Sequence, residues 1–254
     1  LPRVIPCLLL RRSGLVKSVK FKDPKYVGDP INAIHIFNKK EVDEIMVLDI
    51  DASREKREPN YTLIGDFASE CFMPLSYGGG ITSVEQAKKI VQLGVEKISL
   101  NTPVLDNPQL VRQISEEVGT SSTVVCIDIK SNLLGRPKVY DHRKQRCSKL
   151  DPVDWAQQLI ELGAGEIIIQ SVDSDGTQQG YDIDLISKVC QALTVPTVAL
   201  GGAGRMEDFE AAWAAGVSAV AAGSYFVFQG RHRAVLITYP DYADIQKCYK
   251  DSQR

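Results

Sequence analysis

Along the chain, short apolar runs rich in β-branched residues alternate with longer stretches whose apolar positions recur at helical spacing. The runs predict strands at 3–10, 45–50, 73–77, 97–100, 123–129, 166–171, 197–200 and 219–222. Several are apolar throughout, as in parallel strands covered on both faces. The intervening stretches carry helix signals. In "TSVEQAKKIVQLG" a Thr-Ser pair opens the periodic run and a glycine closes it. "NPQLVRQISEEVG", "DPVDWAQQLIELG" and "RMEDFEAAWAAG" repeat that design. Asn107 and Asp151 are candidate N-caps, each followed by proline.

Eight strand–helix units in 254 residues predict an α/β fold, a (β/α)8 TIM barrel, as a single domain over residues 1–254. A doubly wound open sheet is the alternative. An internal half-barrel repeat favours the barrel. "VDEIMVLDIDAS" resembles "AGEIIIQSVDSDG", and "MPLSYGGGITSVEQAKKIVQLG" resembles "VPTVALGGAGRMEDFEAAWAAG". In this repeat Gly78 matches Gly201. "CLLLRRSG" also aligns with "CIDIKSN", which sets Leu9 against Asp128.

The charge balance narrows the function classes. With 30 Lys+Arg against 32 Asp+Glu, the chain has no general attraction for nucleic acid or anionic membrane. The six cysteines form no CxxC pair and have no nearby His cluster, so no metal site is expected and no cofactor is called for. Cys7, Cys71, Cys126 and Cys190 read as small core residues. With no signal segment and no apolar run near the roughly 20 residues a bilayer requires, the expected location is the cytoplasm.

In such barrels chemistry sits at the C-terminal ends of the strands. "GGG" (Gly78–Gly80) and "GGAG" (Gly201–Gly204) follow the third and seventh runs. Each precedes a helix, so backbone N–H groups can hold a phosphate there. Asn101 and Thr102, and Gly223 and Ser224, supply donors after the next strand of each half. Two opposed sites imply a phosphorylated small molecule with a phosphate at each end. Between them lie carboxylates: Asp49, Asp51, Asp128, Asp173 and Asp175. Asp128 stands inside an apolar strand, a candidate general acid/base as well as a candidate structural carboxylate. His35, His142 and His232 are scattered and read as surface or capping residues. At the opposite strand ends, Arg3, Glu44, Lys97 and Glu166 are spaced to form a ring of two cations and two anions.

These pieces resemble HisF, the cyclase subunit of imidazole glycerol phosphate synthase, from "RVIPCL" to about "GSYFVF". "VGDP", "LDIDAS", "YGGGI", "EKISLNT", "CIDIK", "DGTQQGYD" and "LGGAG" occur in order. The resemblance implies a heterodimer with a HisH-like glutaminase, whose ammonia crosses the barrel. It there attacks a bis-phosphorylated ribulosyl substrate (PRFAR), giving imidazole glycerol phosphate and an aminoimidazole carboxamide ribotide (AICAR). Carried over by position, Gly80, Asn101 and Thr102 bind one phosphate, and Gly176, Gly201, Gly202, Gly223 and Ser224 the other. Lys17, Asp49 and Asp175 join the substrate site, Asp128 is catalytic, and Arg3, Glu44, Lys97 and Glu166 form the ammonia gate.

The chain departs from the family pattern at Leu9, where a second catalytic aspartate is expected, and at Leu200, where a serine is common. Its first loop is also more basic. These departures resemble the WbuZ branch, linked to acetamidino modification of nucleotide-activated sugars in lipopolysaccharide O-antigen biosynthesis, with a separate sugar amidotransferase. The expectation is ammonia delivery for that modification, with cyclization weak. The alternatives are a histidine-biosynthesis cyclase and a non-catalytic ammonia conduit.

Overall fold

A computed structural model describes residues 2–230 and 232–254. Eight parallel strands close into a barrel: β1 (Arg3–Arg11), β2 (Ile45–Asp49), β3 (Leu75–Gly78), β4 (Lys97–Leu100), β5 (Thr123–Ser131), β6 (Glu166–Ser171), β7 (Thr197–Leu200) and β8 (Ala219–Ala222). Each pairs with its sequence neighbours. β1 pairs with β8 (Arg3 opposite Ala219), and β5 with β6 (Asp128 opposite Gln170), which completes the ring. The fold is therefore the (β/α)8 barrel, not an open sheet. The runs match these strands to within two residues. The third starts at Leu75 rather than Met73, after a proline at 74 that cannot donate to the ladder.

Helices clad the outside: α1 (Pro30–Lys39), α2 (Tyr61–Glu70), α3 (Val84–Gln92), α4 (Gln109–Val118), α5 (Pro152–Glu161), α6 (Ile183–Ala192), α7 (Met206–Ala214) and α8 (Tyr242–Ser252). Their starts show why the sequence folds this way. Ser83 and Gln86 form a reciprocal capping box at α3. Asp151 caps α5 by accepting from Val153 N–H, with Pro152 in the first turn. Asn107 falls one residue outside its expected place, since Pro108 occupies the N-cap of α4.

Side-chain alternation sorts the barrel interior into layers. Ile5, Met46, Val124, Ile168, Val198 and Ala219 belong to one apolar cluster, with Cys7, Cys126 and Ala221 a step further toward the mouth. Cys7 and Cys126 are core residues as expected, whereas Cys71 and Cys190 are only partly buried. Burial pushes the Cys7 thiol up to about 11, so it stays protonated and packs as a small apolar group.

Two antiparallel hairpins rise from the C-terminal rim, one per half. The first extends β1 through strands Gly14–Val19 and Lys22–Gly28. The second extends β5 through Pro137–Asp141 and Arg146–Cys147. The hydrophobic pattern shows neither, because their strands are short: the inner ones, Gly14–Val19 and Pro137–Asp141, are largely buried but set Lys17, Lys138 and Asp141 among their apolar residues, and the outer ones are exposed or half-buried.

Candidate functional site

The hairpins wall a cavity of about 320 Å³ at the C-terminal mouth, a volume that suits a small molecule. Lys17, Asp49, Gly80, Asn101, Thr102, Asp128, Asp175, Gly223 and Ser224 all line it. Three further residues of the expected phosphate set, Gly176, Gly201 and Gly202, are buried and absent from the lining. A Cβ on Gly176 would meet the Ser18 carbonyl at 2.2 Å, and one on Gly202 the Gly180 carbonyl at 2.0 Å. Both have left-handed φ, +71° and +123°. Close backbone packing at a left-handed φ is thus one demand for glycine at these positions.

Asp128, on β5, is 3% exposed and forms no direct hydrogen bond among the described residues. Its nearest side-chain nitrogen among the ionisable groups is that of His142 from the second hairpin, with Nδ1 3.6 Å from the carboxylate. The Thr102 hydroxyl lies 3.3 Å from the same ring nitrogen. His142, expected as a surface or capping residue, instead stands beside the Asp128 carboxylate. His142 lines the cavity, and only the antiparallel fold-back of the hairpin brings it there. His35, by contrast, is exposed and pairs with Glu70.

Asp175 is pushed up to about 6, chiefly by burial and further by Asp128, while Lys17 and the amide of Gln170 act against the rise. Lys17 is 6% exposed and donates to the Cys7 carbonyl at 2.5 Å, and burial lowers its pKa. Burial likewise raises Asp49, against the opposing pull of Arg57 and of the Asp51 and Ala52 N–H groups. Asp51 ties down Arg11 and Arg54. Arg11, Lys20, Lys22, Arg54 and Lys130 add positive charge around the rim, which suits an anionic ligand.

Position 9 gives the mouth a different floor. Leu9 and Leu48 pack on the inner cluster that holds Cys7, Cys126 and Leu200. All three leucines line the cavity.

At the other end, Arg3, Glu44, Lys97 and Glu166 form a closed ring. Arg3 donates to Glu44 at 2.8 Å and to Glu166, while Lys97 donates to Glu44 at 2.8 Å and to Glu166 at 2.9 Å. The glutamates are nearly buried. Burial would raise the Glu166 carboxyl, but Arg3 and Lys97 outweigh it and hold the group below its ordinary value. Ser76 also donates to Glu44 at 3.1 Å.

Residues 3–233 match the family model described as "Histidine biosynthesis protein". Among similar proteins is "Putative imidazole glycerol phosphate synthase subunit hisF2" of Pseudomonas aeruginosa. It is 55% identical over 243 residues, covering 94% of this chain and 96% of that protein. A "Putative imidazole glycerol phosphate synthase subunit hisF3" of Vibrio vulnificus is 48% identical, over 96% of this chain and 95% of its own length. "Imidazole glycerol phosphate synthase subunit HisF" of Thermococcus gammatolerans is 42% identical, over 88% of each. The chain belongs to the HisF family. As a HisF-like imidazole glycerol phosphate synthase subunit, it holds one carboxylate, Asp128, at the centre of β5 and an apolar side chain, Leu9, on the facing strand β1. No helix is long and apolar enough to cross a membrane among the described residues.

Proposed function

We propose that this HisF-family chain is the ammonia-receiving synthase subunit of a two-component glutamine amidotransferase. A HisH-like glutaminase docks as the second subunit of a heterodimer around the ring end. Ammonia passes the gate of Arg3, Glu44, Lys97 and Glu166, crosses the apolar barrel core and emerges at the mouth between the two phosphate-binding loops. There it serves the acetamidino modification of a nucleotide-activated sugar for O-antigen, through a separate amidotransferase, and cyclization by the barrel itself is weak. The setting is the cytoplasm.

The observation that carries this reading is the apolar floor of Leu9, Leu48 and Leu200. Leu9 can neither accept nor donate a proton. A ribulosyl hydroxyl buried on such a floor without a partner costs about 1–3 kcal/mol, whereas a small neutral molecule crosses it with less loss. The cation-rich rim and the donors at Gly80, Asn101, Thr102, Gly223 and Ser224 support a phosphorylated ligand at the mouth.

A second reading, a histidine-biosynthesis cyclase acting on PRFAR, is favoured by Asp128 and its open carboxylate. Complementation of a cyclase-deficient histidine auxotroph, with the matching glutaminase co-expressed, separates the two. No growth is expected. Growth at the rate given by an authentic cyclase overturns the first reading. Failure of the glutaminase to co-purify at micromolar concentration overturns both.

A further inference from the structure

We propose that Asp128 and His142 form the proton-transfer pair of this barrel, both on one wall of the mouth instead of across it. The inference rests on the reading that ammonia emerges at this mouth. His142 Nδ1 is 3.6 Å from the Asp128 carboxylate and 3.3 Å from the Thr102 hydroxyl. Three separate elements therefore converge: β5, the second hairpin and the short helix Thr102–Asp106. The His142 side chain is 25% exposed and lines the cavity.

Asp175, which shares the cavity and feels the Asp128 charge, accepts from the Gln170 amide at 3.2 Å, and the other ionisable groups nearby have partners of their own. Asp49 is held by Arg57 and two backbone N–H groups, Asp51 by Arg11 and Arg54, and Lys17 by the Cys7 carbonyl. The neighbours of His142 on its own hairpin, Asp141 and Arg143, bind each other, with Asp106 and Lys144 completing that cluster. Lys130, on β5, lies over the Tyr140 ring at 5.2 Å. Asp128 is thus the carboxylate that faces the imidazole without a lysine or arginine holding it.

The pair suits addition of ammonia to the carbonyl of a phosphorylated ketose derivative. The C–N bond forms as the C=O π pair moves onto oxygen. Nitrogen then loses a proton to the Asp128 carboxylate, and oxygen gains one from the His142 imidazolium. Passage of the proton from Asp128 to His142 restores both groups, so charge and protons balance. In this arrangement neither proton step calls on the facing strand, where Leu9 stands, although an added acceptor there would assist.

The test measures turnover of the ribulosyl substrate by the full chain with excess ammonium, and so does not depend on the glutaminase. His142→Gln should lower it about 10²-fold or more and remove one limb of the pH–kcat/KM profile. Leu9→Asp, placed in the His142→Gln background, should restore part of the rate by rebuilding a pair across the mouth. An arm independent of turnover reads the ¹⁵N shifts of the ring nitrogens in the intact protein. Asp128→Asn should move those of His142 and leave those of His35 in place. The proposal is overturned if His142→Gln stays within threefold of wild type, or if the His142 shifts do not respond to Asp128→Asn. It is also overturned if wild type shows no turnover at all. The ammonia-channel reading survives that last result as long as the glutaminase still binds and its ammonia still crosses the barrel.

Discussion

The walls built by β1 and β5 face each other across the mouth, and each strand runs on into an antiparallel hairpin. On the β5 wall, Asp128 opens on the cavity with His142 folded back beside it. On the β1 wall the equivalent position is Leu9, and the hairpin above it carries the buried Lys17 instead. The tip of that hairpin docks on the opposite half, with Lys20 N–H donating to the Asp175 carbonyl at 2.9 Å. One architecture, used twice, thus gives a titratable wall and an apolar one. The backbone is set by strand pairing and helix cladding, and it leaves the inward residue at the strand end free to differ.

The comparison breaks most sharply at its titratable member. Asp128→Asn should lower any ammonia-driven turnover by about 10²–10⁴-fold, measured at saturating ammonium. Leu9→Asp should raise it, because the apolar wall then gains a proton acceptor.

The two glycine loops allow the next comparison. Gly202→Ala sets a methyl group against the Gly180 carbonyl at 2.0 Å, and Gly80→Ala one against the Arg57 carbonyl at 2.6 Å, both at left-handed φ. Each should lose about 2–4 kcal/mol of unfolding free energy, with Gly202→Ala the worse. Denaturant titration of both variants checks the order.

The ring end contrasts with the mouth in being fully paired. Lys97→Met leaves Glu44 and Glu166 sharing Arg3, and should destabilise the chain by about 1–3 kcal/mol at neutral pH. The Glu166 carboxyl is depressed in the fold, so its contribution is present above the unfolded carboxylate pKa and disappears as pH falls through the folded value. The gap between variant and wild type should therefore close in acid, which thermal melts across pH 3–7 would follow.

Asp175 should behave in the opposite sense. Its folded pKa, about 6, lies above the unfolded value. The stability it contributes is complete below the unfolded pKa and declines as pH rises through 6. Relative to wild type, Asp175→Asn should gain on the order of 1–2 kcal/mol between pH 4 and pH 7, discounted for the part of the side chain that reaches the cavity.

The smallest effect is at the tip of the first hairpin, where Lys20 and Phe21 hold left-handed φ of 52° and 61°. Replacing the pair by Asn-Gly, which accepts that turn readily, should add about 1 kcal/mol. A rise in melting temperature with the docking to Asp175 kept would confirm that the strain is local.

The hydrophobic pattern alone determined the strands, four of the eight cladding helices and the half-barrel repeat, because parallel barrel strands are apolar on both faces and helices show their period. It also singled out Asp128, a lone carboxylate in an apolar run, and it aligned Leu9 against it. The four ring residues were legible as charges at strand starts, where nothing apolar competes for the position. What only the tertiary structure decided is which side chains meet. His142 reaches Asp128 because a short hairpin folds back over the mouth, and strands of five and two residues are too brief to show a hydrophobic period. Gly176, Gly201 and Gly202 each sit close against a backbone carbonyl, which a glycine in the sequence does not announce. Asp175 is raised while Glu166 is lowered, though one follows and the other opens the same strand, β6. The sign depends on how many cations the barrel brings within reach of each, and strand closure sets that count.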